Sequence, residues 1–159
     1  MIEKTLVLIK PDGVQRGLIG EILQRFEKVG LKIVGMKMLW IDADFAKRHY
    51  KAHVDKPFYA GLEAMITEGP IVALALEGIH AVELVRKMVG PTEPRSAPPG
   101  TIRGDYAHVS YVYADKKGIA IKNLIHASSN AEEAKAEVEL WFTKKELYNY
   151  PLVHEMHTK

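Results

Sequence analysis

The sequence predicts a layered α/β fold, and two observations carry that expectation. Short apolar runs rich in β-formers alternate with stretches whose apolar residues recur at helical spacing. The 159 residues, 47% hydrophobic and 26% charged, suffice for one domain, 1–159, with its own core. Alternation of this kind nominally favours parallel strands, although the pattern does not encode strand direction.

Residues 5–9 form an apolar run closed by Pro11-Asp12-Gly13, read as a buried strand entering a turn. Ile19, Ile22, Leu23 and Phe26 follow at helical spacing, with Gly30 as the C-terminal stop. Over 31–40 the pattern returns to strand, carrying Ile33, Val34, Met36 and Met38. Asp42 is placed to cap a short helix bearing Phe45, Ala46 and Tyr50. Pro57 opens a second, with Phe58, Leu62, Met65 and Ile66 on one face, broken by Gly69-Pro70. Residues 71–76 are another buried strand, and Val82, Val85 and Val89 predict a helix ending at Gly90. Residues 91–104 hold four prolines and two glycines. An irregular stretch of that length inside a compact domain is often functional. The β character of 106–114 and the turn-like Asp115-Lys116-Lys117-Gly118 predict a hairpin, with 119–126 as the last strand. Ser129 and Glu132 have the spacing of a capping box before a helix with Ala131, Ala134, Val138 and Trp141 on one side.

Bulk chemistry narrows the function classes. With 22 Lys+Arg against 20 Asp+Glu the net charge is +2, which demands neither a nucleic-acid nor a membrane partner and is compatible with anionic substrates. The absence of cysteine rules out disulfides, thiolate metal sites and a cysteine nucleophile. Met1-Ile2-Glu3-Lys4 leads straight into the first strand, and no apolar run approaches the ~20 residues of a membrane span. A soluble, cytoplasmic protein is expected.

Three features could carry chemistry. Lys10 stands where a buried strand meets a turn, so it is either a point charge for a phosphate or a solvated lysine beside that turn. Arg86, Thr92 and Arg103 bracket the proline-rich stretch. If they converge they would grip a polyphosphate, since guanidinium forks match phosphate oxygens; otherwise they are surface residues. His126, in Asn123-Leu124-Ile125-His126-Ala127-Ser128-Ser129, lies between a strand and a capped helix whose N-terminus favours a phosphate. It reads as a nucleophile or as a structural histidine bonded to backbone. Alternation puts Asn123 and His126 on opposite faces of a strand, so the chain must bend if both are to meet one ligand. His49 and His53 are spaced like a zinc pair but lack a third ligand nearby, so no protein-held metal is expected.

Taken together these residues resemble the nucleoside diphosphate kinase family. Ile9-Lys10-Pro11-Asp12-Gly13-Val14-Gln15-Arg16-Gly17 is similar to its N-terminal signature, and Tyr50, Pro57-Phe58 and Gly61-Leu62 to its nucleotide-binding helical hairpin. Pro99-Gly100-Thr101-Ile102-Arg103-Gly104-Asp105 is similar to the end of its proline-bearing loop. Asn123-Leu124-Ile125-His126-Ala127-Ser128 resembles its active-site motif, and Glu137 with Leu140-Trp141-Phe142 the helix behind it. The match spans nearly the whole chain in order.

That resemblance implies a ferredoxin-like fold, a four-stranded antiparallel sheet with helices on one side and an extra hairpin near 106–121. It implies ping-pong transfer of a terminal phosphoryl group from a nucleoside triphosphate to a diphosphate through a phosphohistidine on His126. Lys10, Arg86, Thr92 and Arg103 are then phosphate contacts, with Tyr50 near the phosphates and Asn123 on the ribose. Phe58 and Leu62 hold the base, and Glu137 and Ser128 orient the histidine. Mg²⁺ is the implied cofactor, held mainly by nucleotide phosphates and water. A homo-oligomer is implied, hexamer favoured over tetramer. Two departures stand out: 106–121 is longer than the usual family segment, and Ser129 replaces a frequent acidic residue. An RNA-binding module of the same fold is opposed by the lack of aromatic RNP-like strands and of basic bias. An inactive nucleotide-binding scaffold is opposed by the retention of His126, Lys10, Arg103 and Asn123.

Overall fold

The apolar run ending at Ile9 becomes a central strand, and burial on both of its faces is why it reads as continuously apolar. The computed structural model describes residues 1–159. In chain order the elements are β1 (Ile2–Ile9), α1 (Pro11–Gln15), α2 (Ile19–Lys28), β2 (Lys32–Leu39), α3 (Ala43–His49), α4 (Tyr59–Thr67), β3 (Ile71–Ile79) and α5 (Ala81–Val89). They continue with α6 (Ile102–Tyr106), α7 (Tyr111–Lys117), β4 (Ile125–Ala127), α8 (Ala131–Trp141) and α9 (Glu155–Thr158), with 3-10 turns at Pro94–Ser96 and Lys144–Glu146.

The sheet runs β2-β3-β1-β4, and every pairing is antiparallel. This is the ferredoxin-like arrangement, so the nominal parallel reading is corrected. Each helical crossover carries the chain past a neighbouring position, which periodicity cannot report. The helices also cover both faces of the sheet, not one. Val7 and Ile9 of β1 join Leu74 and Leu76 of β3 in a core with Ile22 and Phe26 of α2 and Val85 of α5. Leu6 and Leu8 face the other way, onto Ala46 of α3, Ile66 of α4, and Val138 and Trp141 of α8.

Several local expectations match. Asp42 caps α3 by accepting from the Phe45 N–H at 2.8 Å, and α5 ends at Gly90. Others are corrected. The Pro11 turn is the first turn of α1, with proline at its start. The hairpin expected near 106–121 is instead helix α7. Ser110 caps it by accepting from the Tyr113 N–H, and Gly118 closes it in the left-handed conformation at φ 64°. Helix-neutral Tyr and Val looked like strand, but a serine cap and a closing glycine define a helix end to end. The last strand is only Ile125–Ala127, because residues 119–124 pair with no strand. The cap of α8 is Asn130, which accepts from the Glu133 N–H at 2.9 Å, while Ser129 donates its own N–H to the Glu133 carboxylate. The capping box expected between Ser129 and Glu132 is therefore not formed: the cap falls one residue later, and the Glu133 carboxylate accepts from the residue before the cap rather than from the cap itself.

Candidate active site

The bend that alternation demanded lies at Leu124. This residue has φ 71°, and the Ile125 N–H donates to the Asn123 carbonyl at 2.8 Å, which closes a γ-turn of the rare positive-φ kind. A non-glycine residue there stores strain of ~1 kcal/mol or more, so the surroundings must hold it. They do so from three sides. The Lys10 N–H donates to the Leu124 carbonyl at 2.8 Å, and Asp12 Oδ2 accepts from the Leu124 N–H at 2.9 Å. Arg103 donates from Nε to the Asn123 carbonyl at 3.2 Å and from Nη2 to the Ile125 carbonyl at 2.6 Å. The buried Leu124 side chain anchors the turn in the core.

One polar cavity results, of about 270 Å³. Lys10, Tyr50, Leu62, Arg86, Thr92, Arg103, Asn123, His126 and Glu137 all line it. Phe58 lies in an adjoining apolar slot of about 740 Å³, which shares Leu62 and Thr92 with the cavity. Ser128 is fully buried behind the site.

On one side stand cations. The Lys10 ammonium, 6% exposed, donates to Asn123 Oδ1, and Asn123 Nδ2 donates to the Thr92 carbonyl at 2.8 Å. Burial pushes Lys10 down to about 8, against the attraction of Asp12 and with help from the charge of Arg103. Burial, followed by the charge of Arg86, likewise lowers Arg103 to about 10. Arg103 also donates from Nη1 to the Gly90 carbonyl at 3.0 Å. With three of its five N–H groups engaged on backbone, two remain for a ligand.

On the other side is a histidine–carboxylate unit. His126 Nε2 lies 2.9 and 3.0 Å from the two Glu137 oxygens, and the Ser128 hydroxyl donates to Glu137 Oε2 at 2.6 Å. Ser128 Oγ in turn accepts from the Leu6 N–H at 3.3 Å, which ties the unit to β1. Burial alone would raise Glu137. The hydrogen bond and charge of His126 and the Ser128 hydroxyl outweigh it, and the carboxyl sits below its usual value. A carboxylate accepting at Nε2 fixes the proton there and leaves Nδ1 with a free lone pair.

Sequence reasoning missed two contributors. His49 was read only as a partner of His53, yet its ring stands edge-on to His126 at 4.8 Å, and its Nδ1 accepts from Trp141 Nε1 at 3.1 Å. Burial, then the charge of His126, lowers it to about 3, so it stays neutral. Asp12 was read as turn punctuation but fastens the γ-turn. No spacing announces either role. His49, His126 and Glu137 bring ligand atoms within 4.8 Å of one another. Those of Glu137 and His126 are already spent on each other, and the other carboxylate lining the cavity, Glu133, accepts from the Ser129 N–H. The donor set therefore suits a cation that arrives coordinated by an anionic ligand rather than one caged by carboxylates.

A buried cationic cavity facing a carboxylate-held imidazole, on a ferredoxin-like sheet, has the chemistry of a site that handles phosphate groups. Residues 3–147 match the family model described as nucleoside diphosphate kinase. The chain is 54% identical over 149 residues to the nucleoside diphosphate kinase of Pyrococcus furiosus, covering 94% of this chain and 88% of that one. It is 45% identical over 156 residues to that of Borreliella burgdorferi, covering 94% and 93%. Its fold overlays a transition state mimic of the Borrelia burgdorferi enzyme with bound vanadate and ADP at TM-score 0.95 and 43% identity, over 99% and 96% of the two chains. A Halobacterium salinarum nucleoside diphosphate kinase in complex with CDP overlays at TM-score 0.87 and 42% identity, over 99% and 98%. The chain belongs to the nucleoside diphosphate kinase family.

Proposed function

We propose that this chain, acting as one domain over 1–159, transfers the terminal phosphoryl group of a nucleoside triphosphate to a nucleoside diphosphate by way of His126 Nδ1. The observation that carries the reading is the Glu137 clamp on Nε2, which leaves Nδ1 as the unengaged ring nitrogen in a cationic cavity. The Nδ1 lone pair forms a bond to the γ-phosphorus as the bond from that phosphorus to the β–γ bridging oxygen breaks, and the diphosphate leaves with that electron pair. The imidazole keeps its Nε2 proton, and Glu137 balances the positive charge this creates. The second diphosphate enters the same cavity and reverses the step, so kinetics are ping-pong.

Lys10, Arg86, Thr92 and the two free N–H groups of Arg103 meet the phosphates and the charge that develops on the moving group. Tyr50, whose hydroxyl burial keeps protonated, packs edge-on against His49 at 4.7 Å and closes the wall near the phosphates. In this reading Asn123 meets the ribose, and Phe58 and Leu62 hold the base. Ser128 steadies Glu137. Mg²⁺ arriving with the nucleotide would neutralise part of the phosphate charge, and no protein carboxylate is required to hold it.

No helix is long and apolar enough to cross a membrane. A cysteine-free chain that consumes nucleoside triphosphates fits the cytoplasm, where those substrates are held. The outer edge of β2 carries exposed Met36 and Met38, with Trp40 just beyond. An unpaired apolar edge of this kind supports a homo-oligomer, and the resemblance to the family favours a hexamer over a tetramer. Incubation with γ-labelled ATP and magnesium should give an acid-labile, base-stable label that a nucleoside diphosphate discharges. The label should be absent in His126→Ala, and its persistence in that variant would overturn the assignment.

A further inference from the structure

The segment that departs from the family pattern, α7 and the residues after it, forms one wall of the apolar slot. Tyr111, Ala114 and Asp115 recur at i, i+3 and i+4, so they share one face of α7, and all three line the slot together with Gly118, which closes the helix. Phe58 and Leu62 line the slot from the other side. The gap is held open at a set width. The Tyr111 N–H donates to Glu93 Oε1 at 3.0 Å, and the Arg95 N–H to the Val109 carbonyl at 3.2 Å, which pins the start of α7 to the loop carrying Thr92. At the far end the chain passes so close to α4 that a Cβ on Gly61 would lie 3.4 Å from the Ala120 nitrogen. The slot opens onto the phosphate cavity, with which it shares His53, Leu62, Thr92 and Ile121.

Such a slot takes a flat apolar ring whose substituent leads to the phosphates, with polar groups deciding which ring. Asp115 is the one carboxylate that lines it, and it enters no ion pair or side-chain hydrogen bond within the chain. We propose that α7 is the base-selecting element of this chain, and that Asp115 reads the edge of guanine. A carboxylate is a fork of two acceptors and needs two adjacent donors. Guanine offers them as N1–H and the 2-amino group. Adenine and cytosine set an acceptor nitrogen beside their amino group, uracil and thymine flank one N–H with two carbonyls, and hypoxanthine has N1–H but no 2-amino group. Each of these leaves a carboxylate oxygen unpaired or facing a lone pair. The inference rests on the nucleotide kinase reading and adds a preference to it.

The test compares kcat/KM for GDP and IDP as acceptors with ATP as donor, since the two differ only in the 2-amino group. GDP should be favoured about tenfold, as befits one hydrogen bond to a charged group in an open slot. Asp115→Ala and Asp115→Asn should bring the ratio close to one. Lys116→Ala and Tyr113→Ala, outside the slot-lining face of α7, should leave the ratio in place. Equal use of GDP and IDP by the unaltered protein, or a ratio that survives Asp115→Ala, would overturn the proposal. Labelling by γ-labelled ATP is measured in the same preparation: no label would sink the kinase reading itself, whereas label with no base preference would sink only the role of Asp115.

Discussion

Lys10→Met separates what the site does from what it costs. The ammonium of Lys10 is almost wholly out of water, and burial lowers it from 10.5 to about 8. Between those values the unfolded chain binds the proton that the folded chain has released, so stability rises with pH across that window. At pH 7 both states are protonated, and the folded state carries the whole penalty, ~3 kcal/mol for a drop of this size. Methionine has a similar length and no charge, so it removes that penalty. It also leaves Asn123 Oδ1 without its donor, a loss of about 2 kcal/mol for a buried acceptor. The balance favours the variant by ~1 kcal/mol at pH 7, or a Tm about 3 °C higher. Above pH 10.5 the wild type no longer carries the penalty, and the order reverses by ~2 kcal/mol. Phosphoryl transfer should fall a hundredfold or more with the loss of ~3 kcal/mol of charge stabilisation. Urea unfolding of both proteins at intervals from pH 7 to 11, beside turnover at pH 7, tests the scheme. Stability curves that run parallel with pH would refute the idea that Lys10 is held against its preferred protonation.

The unliganded protein should also lose kcat/KM as pH rises through about 8, because the neutral amine no longer attracts phosphate; an alkaline limb close to 10.5 would contradict this. Glu137→Gln can present an amide N–H to His126 Nε2, which moves the ring proton to Nδ1. Transfer should drop roughly 10–100-fold with nucleotide affinity retained, read as kcat against KM and as phosphoenzyme yield. Arg103→Lys keeps a charge but loses the planar fork that braces two carbonyls of the γ-turn and the Gly90 carbonyl at the end of α5, so thermal stability should fall by ~2–4 kcal/mol together with activity. Gly104→Ala would bring a Cβ to 2.1 Å from the Pro98 carbonyl oxygen. The 97–98 backbone would have to move, costing ~1–3 kcal/mol in chemical denaturation.

The central strands and α2, α3, α5 and α8 were legible because each carries a clear period and a stop or cap: Gly30 after α2, Asp42 before α3, Gly90 after α5. Strand direction was not legible, since β1 is apolar on both faces and its neighbours are chosen by crossovers that leave no mark in the period. The hairpin at 106–121 failed for a specific reason. Tyr and Val were weighed by β-propensity, while Ser110 and Gly118, seven residues of helix apart, were the stronger evidence. For the site, composition offered only candidate types. The ordered motifs singled out the cavity-lining residues, but His49 and Asp12 act through tertiary contacts with His126 and Leu124 that no local pattern contains.

The γ-turn at Leu124 explains why the motif around His126 cannot be a plain strand. A regular strand would send Asn123 and His126 to opposite faces. The turn reverses one residue, and both side chains come to the same cavity. The parts that hold the turn are the parts that charge the site. Arg103 braces two of its carbonyls and keeps two N–H groups free, while Lys10 fixes the third carbonyl through its backbone and bonds Asn123 through its ammonium. The strain of the turn and the burial of the cations are thus borne by one network. Its folding energy is spent on keeping positive charge dry and aimed before any ligand arrives, which is what a loose, charge-dominated transfer requires. The negative partner, Glu137, is fastened separately to Ser128 and β1. His126 therefore stands between two fixed poles, and the proposed transfer to it would require neither pole to move.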